Sequence, residues 1–376
     1  MKLGLVAGEA SGDLIASLML VGLRERWPDL QAFGMGGPDM DAVGFQSWWP
    51  SSKLGIFGYL EALMNLRELL RVRKQLGTRL IEARPAAFVG IDAPDFNFGL
   101  EKRLRDAGIK TVHFVCPSIW AWRAGRVETI KRSADHVLCL FPFEPELLHA
   151  HGIAATYVGH PLADKIPLEV DQAGARAALG LPADAEIVAL LPGSRRSEIR
   201  YIAPTMLAAA ALMQQQRPSL RFVLPAAPGM RALLAPLLTR HPELQLSVVD
   251  GRSHEVLAAC DTTLVSSGTA TLEAALFGRP MVVAYKVHPV VAWRLRGRNQ
   301  LPWVALPNVL AREFLVPELL QEACTPEALA AAGLAWFDDP ARRARVQAAF
   351  AAQHQTLRQD CAKRCADAIA QVVDDA

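Results

Sequence analysis

Phe88-Val89-Gly90-Ile91 runs straight into Asp92-Ala93-Pro94-Asp95-Phe96-Asn97. A short apolar run closed by a carboxylate and a proline reads as a strand buried on both faces that opens into a turn and a helix. Leu3 to Ala7, Thr111 to Val115 and Val137 to Leu140 read the same way, with helical patterns between them. The alternation recurs at Ile187 to Leu191, Arg221 to Leu224, Leu246 to Val249, Thr263 to Val265 and Met281 to Ala284. Strands alternating with helices imply a parallel sheet covered on both faces, and here the pattern occurs twice. The expected fold class is α/β, with two doubly wound, Rossmann-like domains. Ligands of such folds bind outside the carboxyl ends of the strands, so the two domains are expected to face each other across a cleft.

Pro161, Pro167 and Pro182 interrupt the stretch between the two halves and suit a linker. The boundary is placed near residue 168, giving domains 1–168 and 169–350 and a C-terminal helical segment 351–376. After Pro326 the chain turns Ala-rich, with Trp336 facing in and arginines facing out, and is expected to pack as helices over the domains. Stacked helices there would permit a homodimer without requiring one.

With 376 residues, 51% of them hydrophobic, the chain has ample material for a core, which excludes a disordered protein. Lys plus Arg at 40 against Asp plus Glu at 38 leaves no bulk field that would suggest nucleic acid as a partner. In Met1 to Asp13, Glu9 breaks the apolar run too early for a signal peptide, so a cytoplasmic location is expected. No window approaches the roughly 18–20 apolar residues of a spanning helix, so any membrane contact should be peripheral. Of the six cysteines only Cys361 and Cys365 sit close together, and without a matching His or Cys cluster they read as ordinary thiols rather than metal ligands.

The first strand ends in Gly8-Glu9-Ala10-Ser11-Gly12-Asp13. Neither nucleotide fingerprint, G-x-G-x-x-G or G-x-x-x-x-G-K-[ST], is present, and Glu9 and Asp13 would repel a phosphate. A sugar or lipid-headgroup contact involving Ser11 and Asp13 is one reading, and Asp13 as the cap of a helix starting near Leu14 is the other. Asp92, directly at its strand's end, can serve as the base that takes the proton from an attacking hydroxyl. Asp95 reads as the cap of a helix starting at Phe96. Trp122 and Arg123, in Pro117 to Arg123, suit stacking on a sugar or holding a phosphate, and core packing of one Trp is equally open.

In the second half, Gly193-Ser194-Arg195 ends a strand and opens a helix, where backbone donors can meet a diphosphate and Arg195 can neutralise a leaving group. Ser267-Gly268-Thr269 joins another strand to a helix, and Glu273, five residues beyond Gly268, can bind both hydroxyls of a ribose. The pair of turns points to a nucleotide-sugar donor. Residues 56 to 76 mix Leu60, Leu63, Met64, Leu66 and Leu70 with Arg67, Arg71, Arg73 and Lys74, which suits a helix on an anionic bilayer as well as one covering a core. Trp293, Arg294, Arg296, Arg298 and Trp303 form a second such mixture.

The ordered set Gly8 to Asp13, Gly90 to Asn97, Pro117 to Arg123, Val158 to Asp164, Leu190 to Arg195, Ser266 to Glu273 and Leu306 to Asn308 resembles the lipid A disaccharide synthase family from Val6 to about Glu322. The resemblance implies two domains of the GT-B type and an inverting glycosyl transfer without a metal or other cofactor. It further implies UDP-2,3-diacylglucosamine as donor, 2,3-diacylglucosamine 1-phosphate (lipid X) as acceptor, and a place on the cytoplasmic face of the inner membrane. The N-terminal domain would then bind the acceptor and carry a membrane-facing helix, and the second would bind the UDP-sugar. Asp92, Arg195, Asn308 and Glu9 fall on motif positions tied to activity in that family. Phe98 and the Arg195-Arg196 pair are small departures that put no role in doubt. Two rivals stand beside it: an isomerase of the UDP-N-acetylglucosamine 2-epimerase class, which needs no acceptor lipid, and a non-catalytic binding protein, in which Asp92 would be dispensable.

Overall fold

The computed structural model describes residues 1–8, 10–51, 66–121, 124–289, 291–292 and 301–374. The chain divides into two compact units, Met1–Lys165 with Thr356–Ala376, and Ile166–Gln355. The first holds seven parallel strands, β1 (Lys2–Ala7), β2 (Gln31–Gly36), β3 (Gln46–Pro50), β4 (Ala87–Ile91), β5 (Lys110–Phe114), β6 (His136–Cys139) and β7 (Ala155–Tyr157), in the order β3-β2-β1-β4-β5-β6-β7. The second holds six, β8 (Ile187–Leu191), β9 (Arg221–Ala226), β10 (Leu246–Asp250), β11 (Thr262–Ser266), β12 (Met281–Tyr285) and β13 (Glu318–Leu320), in the order β10-β9-β8-β11-β12-β13. Both are doubly wound, with the chain running outward one way from β1 and β8 and the other way from β4 and β11.

Every residue of β4, β8 and β11 is buried, because helices cover both faces of a parallel sheet; that is why these strands read as unbroken apolar runs. The strands not picked out from the sequence, β2, β3, β7 and β13, show no such run. β2 carries Gly34 and Gly36, β3 ends on Pro50, and β7 and β13 have three residues each. The helix Leu66–Ala83 sends Val72, Leu76 and Leu80 into the core beside Phe33, Met35 and Phe88. Leu60, Leu63 and Met64 of the expected membrane-facing stretch lie outside the described residues, as do Trp293, Arg294, Arg296 and Arg298. Trp336, on the helix Pro326–Asp338, is fully buried and donates its indole N–H to Met281 O at 3.1 Å, which pins that helix to β12. Truncating a side chain of this size in a core costs about 3–5 kcal/mol.

The division between the units falls at Lys165, a few residues before the expected boundary. The C-terminal segment does not stand apart, because Thr356 onward rejoins the first unit. Val158 to Asp164 makes that connection. Tyr157 Oη donates to Thr356 O at 2.6 Å, and His160 N donates to Leu357 O at 2.9 Å. The Asp164 carboxylate accepts from Asp360 N at 3.1 Å and Cys361 N at 2.6 Å, which caps the helix Cys361–Asp374. That helix packs against Ala10–Arg26, where Gly22 leaves room for the backbone of Ala362. Cys361 and Cys365 are buried there as free thiols, 3.8 Å apart.

His160 is the histidine of this connection. It is 3% exposed, and its Nδ1 accepts from Leu162 N at 3.2 Å, so the ring must be neutral at that nitrogen. Burial depresses its pKa to about 4 from an ordinary 6.5. Between those values the unfolded chain binds a proton that the folded chain refuses, so this contribution is complete above pH 6.5 and is lost as the pH falls toward 4. The depression corresponds to about 3 kcal/mol. Urea unfolding at pH 7.5 and 4.5 should show a larger acid loss for the native chain than for His160→Asn, and equal losses would rule out His160 as the source.

Candidate active site

In each unit the connections diverge at one place, between β1 and β4 and between β8 and β11, and in such folds that divergence makes the crevice, at the carboxyl ends of the strands, where ligands bind. The pairing fixes the geometry: Ala7 lies beside Ile91 in the first unit and Leu191 beside Val265 in the second. Four of the turns singled out in the sequence stand at these two points. The β1 turn and Asp92 flank the first, and Gly193 to Arg195 and Ser267 to Thr269 flank the second.

At the first crevice Asp92 is half-buried and adopts φ 49°, and Ala93 follows at φ 43°. Two successive non-glycine residues in the left-handed region cost on the order of 1–3 kcal/mol each, a strain found mostly at functional sites. Asp92 N donates to Phe114 O at 2.9 Å, and Asp92 O accepts from the Asn97 amide at 2.8 Å. The following helix, Pro94–Asp106, starts two residues earlier than expected, so Asp95 lies in its first turn and pairs with Arg126 instead of capping it. Ser11 is exposed at the start of the helix Ala10–Arg26, whereas Glu9, Trp122 and Arg123 lie outside the described residues.

Asp13 has a different task from either expectation. It is 2% exposed and accepts from Gly37 N at 2.8 Å, Asp39 N at 3.0 Å and Met40 N at 3.2 Å. It thus caps the helix Pro38–Ala42, whose own cap residue, Gly37, has no side chain to do so. A carboxylate committed to three backbone donors is not free to hold an acceptor sugar. Trp120, in the loop after β5, is likewise engaged: its indole N–H donates to Glu144 at 3.0 Å and its ring packs edge-on against Phe141 and Phe143.

At the second crevice Gly193 has φ 114°, and a Cβ there would overlap the Glu198 carboxylate. That carboxylate accepts from Ser194 N at 2.8 Å and Arg195 N at 3.1 Å and stands 3.6 Å from the Arg195 guanidinium. The backbone donors expected for a diphosphate are therefore met by a side-chain anion of the same chain. Arg195 itself reaches outward, with its side chain 63% exposed. Burial raises the pKa of Tyr285, at the end of β12; the negative charge of Glu198 adds to this and Arg195 opposes it, which places the phenol beside both.

Gly268 has φ 143° and ψ −161°, a combination open essentially to glycine alone, and it starts the helix Thr269–Leu276. Gly268 and Thr269 are exposed and Ser267 is half-buried, its N–H tied to Ala284 O at 3.1 Å. Glu273, on the second turn, stands 3.8 Å from His254 Nε2 and keeps a partly open carboxylate. Asn308, expected as a catalytic group, is fully buried on the helix Leu306–Ala311. Its Nδ2 donates to Val316 O at 2.9 Å and Glu318 Oε1 at 2.8 Å, and its Oδ1 accepts from Val316 N at 3.0 Å. Glu318 also accepts from Val304 N and Ala305 N at 2.9–3.1 Å, and Leu306 N donates to Thr271 Oγ1 at 3.3 Å, so this cluster props the Gly268 helix. The Asn308 side chain, expected to be catalytic, is thus enclosed within this cluster and none of it is exposed.

Cys116, Cys139 and Glu144 have ligand atoms within 4.8 Å of one another and could hold a metal by distance alone. Their chemistry does not favour it: burial holds Glu144 at about 8, and its oxygens already accept from Trp120 and Phe141 N. The Cys139 thiol is pushed far above its usual range by its hydrogen bond with Cys116 and by burial, which keeps it protonated in the metal-free protein. Three supporting residues, Asn97, Glu198 and Glu318, escape the sequence reading. The first two sit inside or beside the motifs, but a polar residue in a helix gives no sign of which carbonyl or amide it will meet.

Two doubly wound parallel sheets in one chain are the architecture of the GT-B fold. Similar solved structures include the glycotransferase of kitacinnamycin, with TM-score 0.65 and 17% identity over 99% of this chain and 98% of that one. The UDP-GlcNAc 2-epimerase from Neisseria meningitidis bound to UDP-GlcNAc is also similar, with TM-score 0.63 and 12% identity over all of both chains. At such identities the likeness is one of fold. The family model described as Lipid-A-disaccharide synthetase matches residues 3–373, and the chain belongs to that family. The lipid-A-disaccharide synthase of Burkholderia lata is 55% identical over all of this chain and 97% of its own length, and that of Verminephrobacter eiseniae is 55% identical over 98% and 96%.

Proposed function

We propose that the chain transfers 2,3-diacylglucosamine from UDP-2,3-diacylglucosamine to lipid X, giving the β-1,6-linked lipid A disaccharide 1-phosphate and UDP. The observation that carries this reading is the 55% identity, along the whole chain, to relatives named for that product. The acceptor's 6-hydroxyl attacks the donor's anomeric carbon on the face opposite UDP, which inverts that centre. The hydroxyl proton passes to the Asp92 carboxylate as the new C–O bond forms. The electron pair of the breaking C–O bond goes to the diphosphate, where Arg195 and the N–H groups of the Gly268 turn offset its charge. Ser267 and Thr269 frame the phosphates, and Glu273 takes the ribose hydroxyls. Ser11 meets the acceptor sugar, with Glu9, Trp122 and Arg123 assigned to the same end from their motifs alone. No Asp-x-Asp pattern occurs in residues 169–350, which accords with a leaving group neutralised by protein cations. Among the described residues no helix is long and apolar enough to cross a membrane, and the basic, leucine-rich stretch at residues 56–76 is proposed to touch the cytoplasmic face of the inner membrane.

The test is a transfer assay with both lipids in the presence of a metal chelator. Acceptor-dependent disaccharide and UDP are expected. Conversion of the donor without an acceptor would replace this reading with that of an isomerase, and activity that vanishes with the chelator would overturn the metal-independent step alone.

A further inference from the structure

We propose that Asn97 is a positioning residue that holds Asp92 in its working geometry by tying together the two strand ends that form the crevice; this rests on Asp92 being the base. Asn97 is fully buried. Its Nδ2 lies 2.8 Å from Asp92 O, 3.3 Å from Ile91 O and 3.4 Å from Val6 O. Val6 belongs to β1 and Ile91 to β4, so one amide spans the divergence of the sheet and fixes how far apart its two turns stand. Three carbonyl oxygens converging on one atom also settle which end of the amide faces them, since its oxygen would be repelled there.

The other end of the side chain sharpens the point. Asn97 Oδ1 is buried and has no hydrogen-bond partner among the described residues. Such an orphan acceptor is costly, and a leucine would fill the same space without it. A residue kept at that expense is kept for its N–H groups. Those groups act on a turn that needs restraint, because Asp92 and Ala93 both lie in the left-handed region without being glycine. The turn is gripped at its N–H by Phe114 O and at its carbonyl by Asn97, which leaves the Asp92 side chain little freedom of aim.

The surroundings hold Asn97 in turn. Gly90 faces it from β4, where a Cβ would stand 3.1 Å from both Asn97 Cβ and Cγ. Glu101, one turn further along the same helix, packs on that glycine as well and accepts from or shares a proton with His113 at 2.6 Å, both fully buried. Helix and sheet are therefore locked together under the turn by polar contacts.

Transfer kinetics of Asn97→Ala, Asn97→Ser and Asp92→Ala, each checked for folding by thermal unfolding, test the idea. Misplacing a reacting group by about 1 Å costs on the order of a hundredfold. Folded Asn97→Ala should lose about tenfold or more in kcat while its donor KM stays within about twofold, because the donor is assigned to the second unit. Adding Ala93→Gly to Asn97→Ala should restore part of kcat, since glycine adopts the left-handed turn without strain. A kcat within about twofold of native, or a matching rise in donor KM, overturns the proposal. Should Asn97→Ala fail to fold, Asn97→Ser carries the same criteria. Activity retained in Asp92→Ala overturns the base itself, whereas activity lost there but kept in folded Asn97 variants overturns only the positioning role.

Discussion

Asp92→Asn is expected to lower kcat for disaccharide formation by about 10²–10⁴-fold, the usual contribution of a positioned general base. The substitution removes the proton acceptor and little else. Asparagine tolerates the left-handed backbone better than most residues, so φ 49° at this position should survive the change. The backbone bonds to Phe114 O and from Asn97 do not involve the lost charge. Donor KM and the melting temperature should therefore stay near native, and kcat alone should collapse. A folded variant that keeps more than about a tenth of native kcat would mean that the proton leaves by another route.

Arg195→Ala should lower kcat by about 10²–10³-fold, the scale seen when one group that meets a developing negative charge is removed. Unlike Asp92→Asn, it should also weaken inhibition by the product UDP, because in the proposed reaction the guanidinium meets the diphosphate before and after the bond breaks. Arg195→Lys should recover only part of the loss, since a point charge cannot grip two oxygens at once. Glu198 gives the comparison a second purpose. Its carboxylate already takes the N–H groups of Ser194 and Arg195, so a bound diphosphate has either to displace it or to rely on the outward-facing guanidinium. Unchanged UDP inhibition in Arg195→Ala would assign the diphosphate to other donors.

The architecture was legible because its central strands announce themselves. Phe88 to Ile91 and Ile187 to Leu191 are apolar throughout, as burial on both faces requires, and each ends on a residue that breaks the pattern. The turns at both switch points follow from that reading, which is why Asp92, Arg195 and Gly268 could be placed at strand ends. What each side chain touches was less legible. Asp13 looks like a local cap, yet its partners are Gly37, Asp39 and Met40, a fold-level proximity that no spacing along the chain encodes. Asn308 reads as a polar residue of a motif, but Val316, just before β13, and Glu318, its first residue, surround it, and three residues of edge strand leave no periodic trace. Hydrogen-bond partners far apart in sequence are decided by packing, whereas strands are decided by composition.

Because residues 166–355 form one unbroken stretch while the first unit is completed only by Thr356–Ala376, the second unit is an insertion within the first. A chain made from its N-terminus can finish folding the inserted unit while the outer one still waits for its last helix. Until then the surface around Gly22, and the N–H acceptor Asp164, have nothing to receive. The half that carries Asp92 is thus the last to be sealed, and a ribosome-bound intermediate would have a finished second unit while the first is still unfinished.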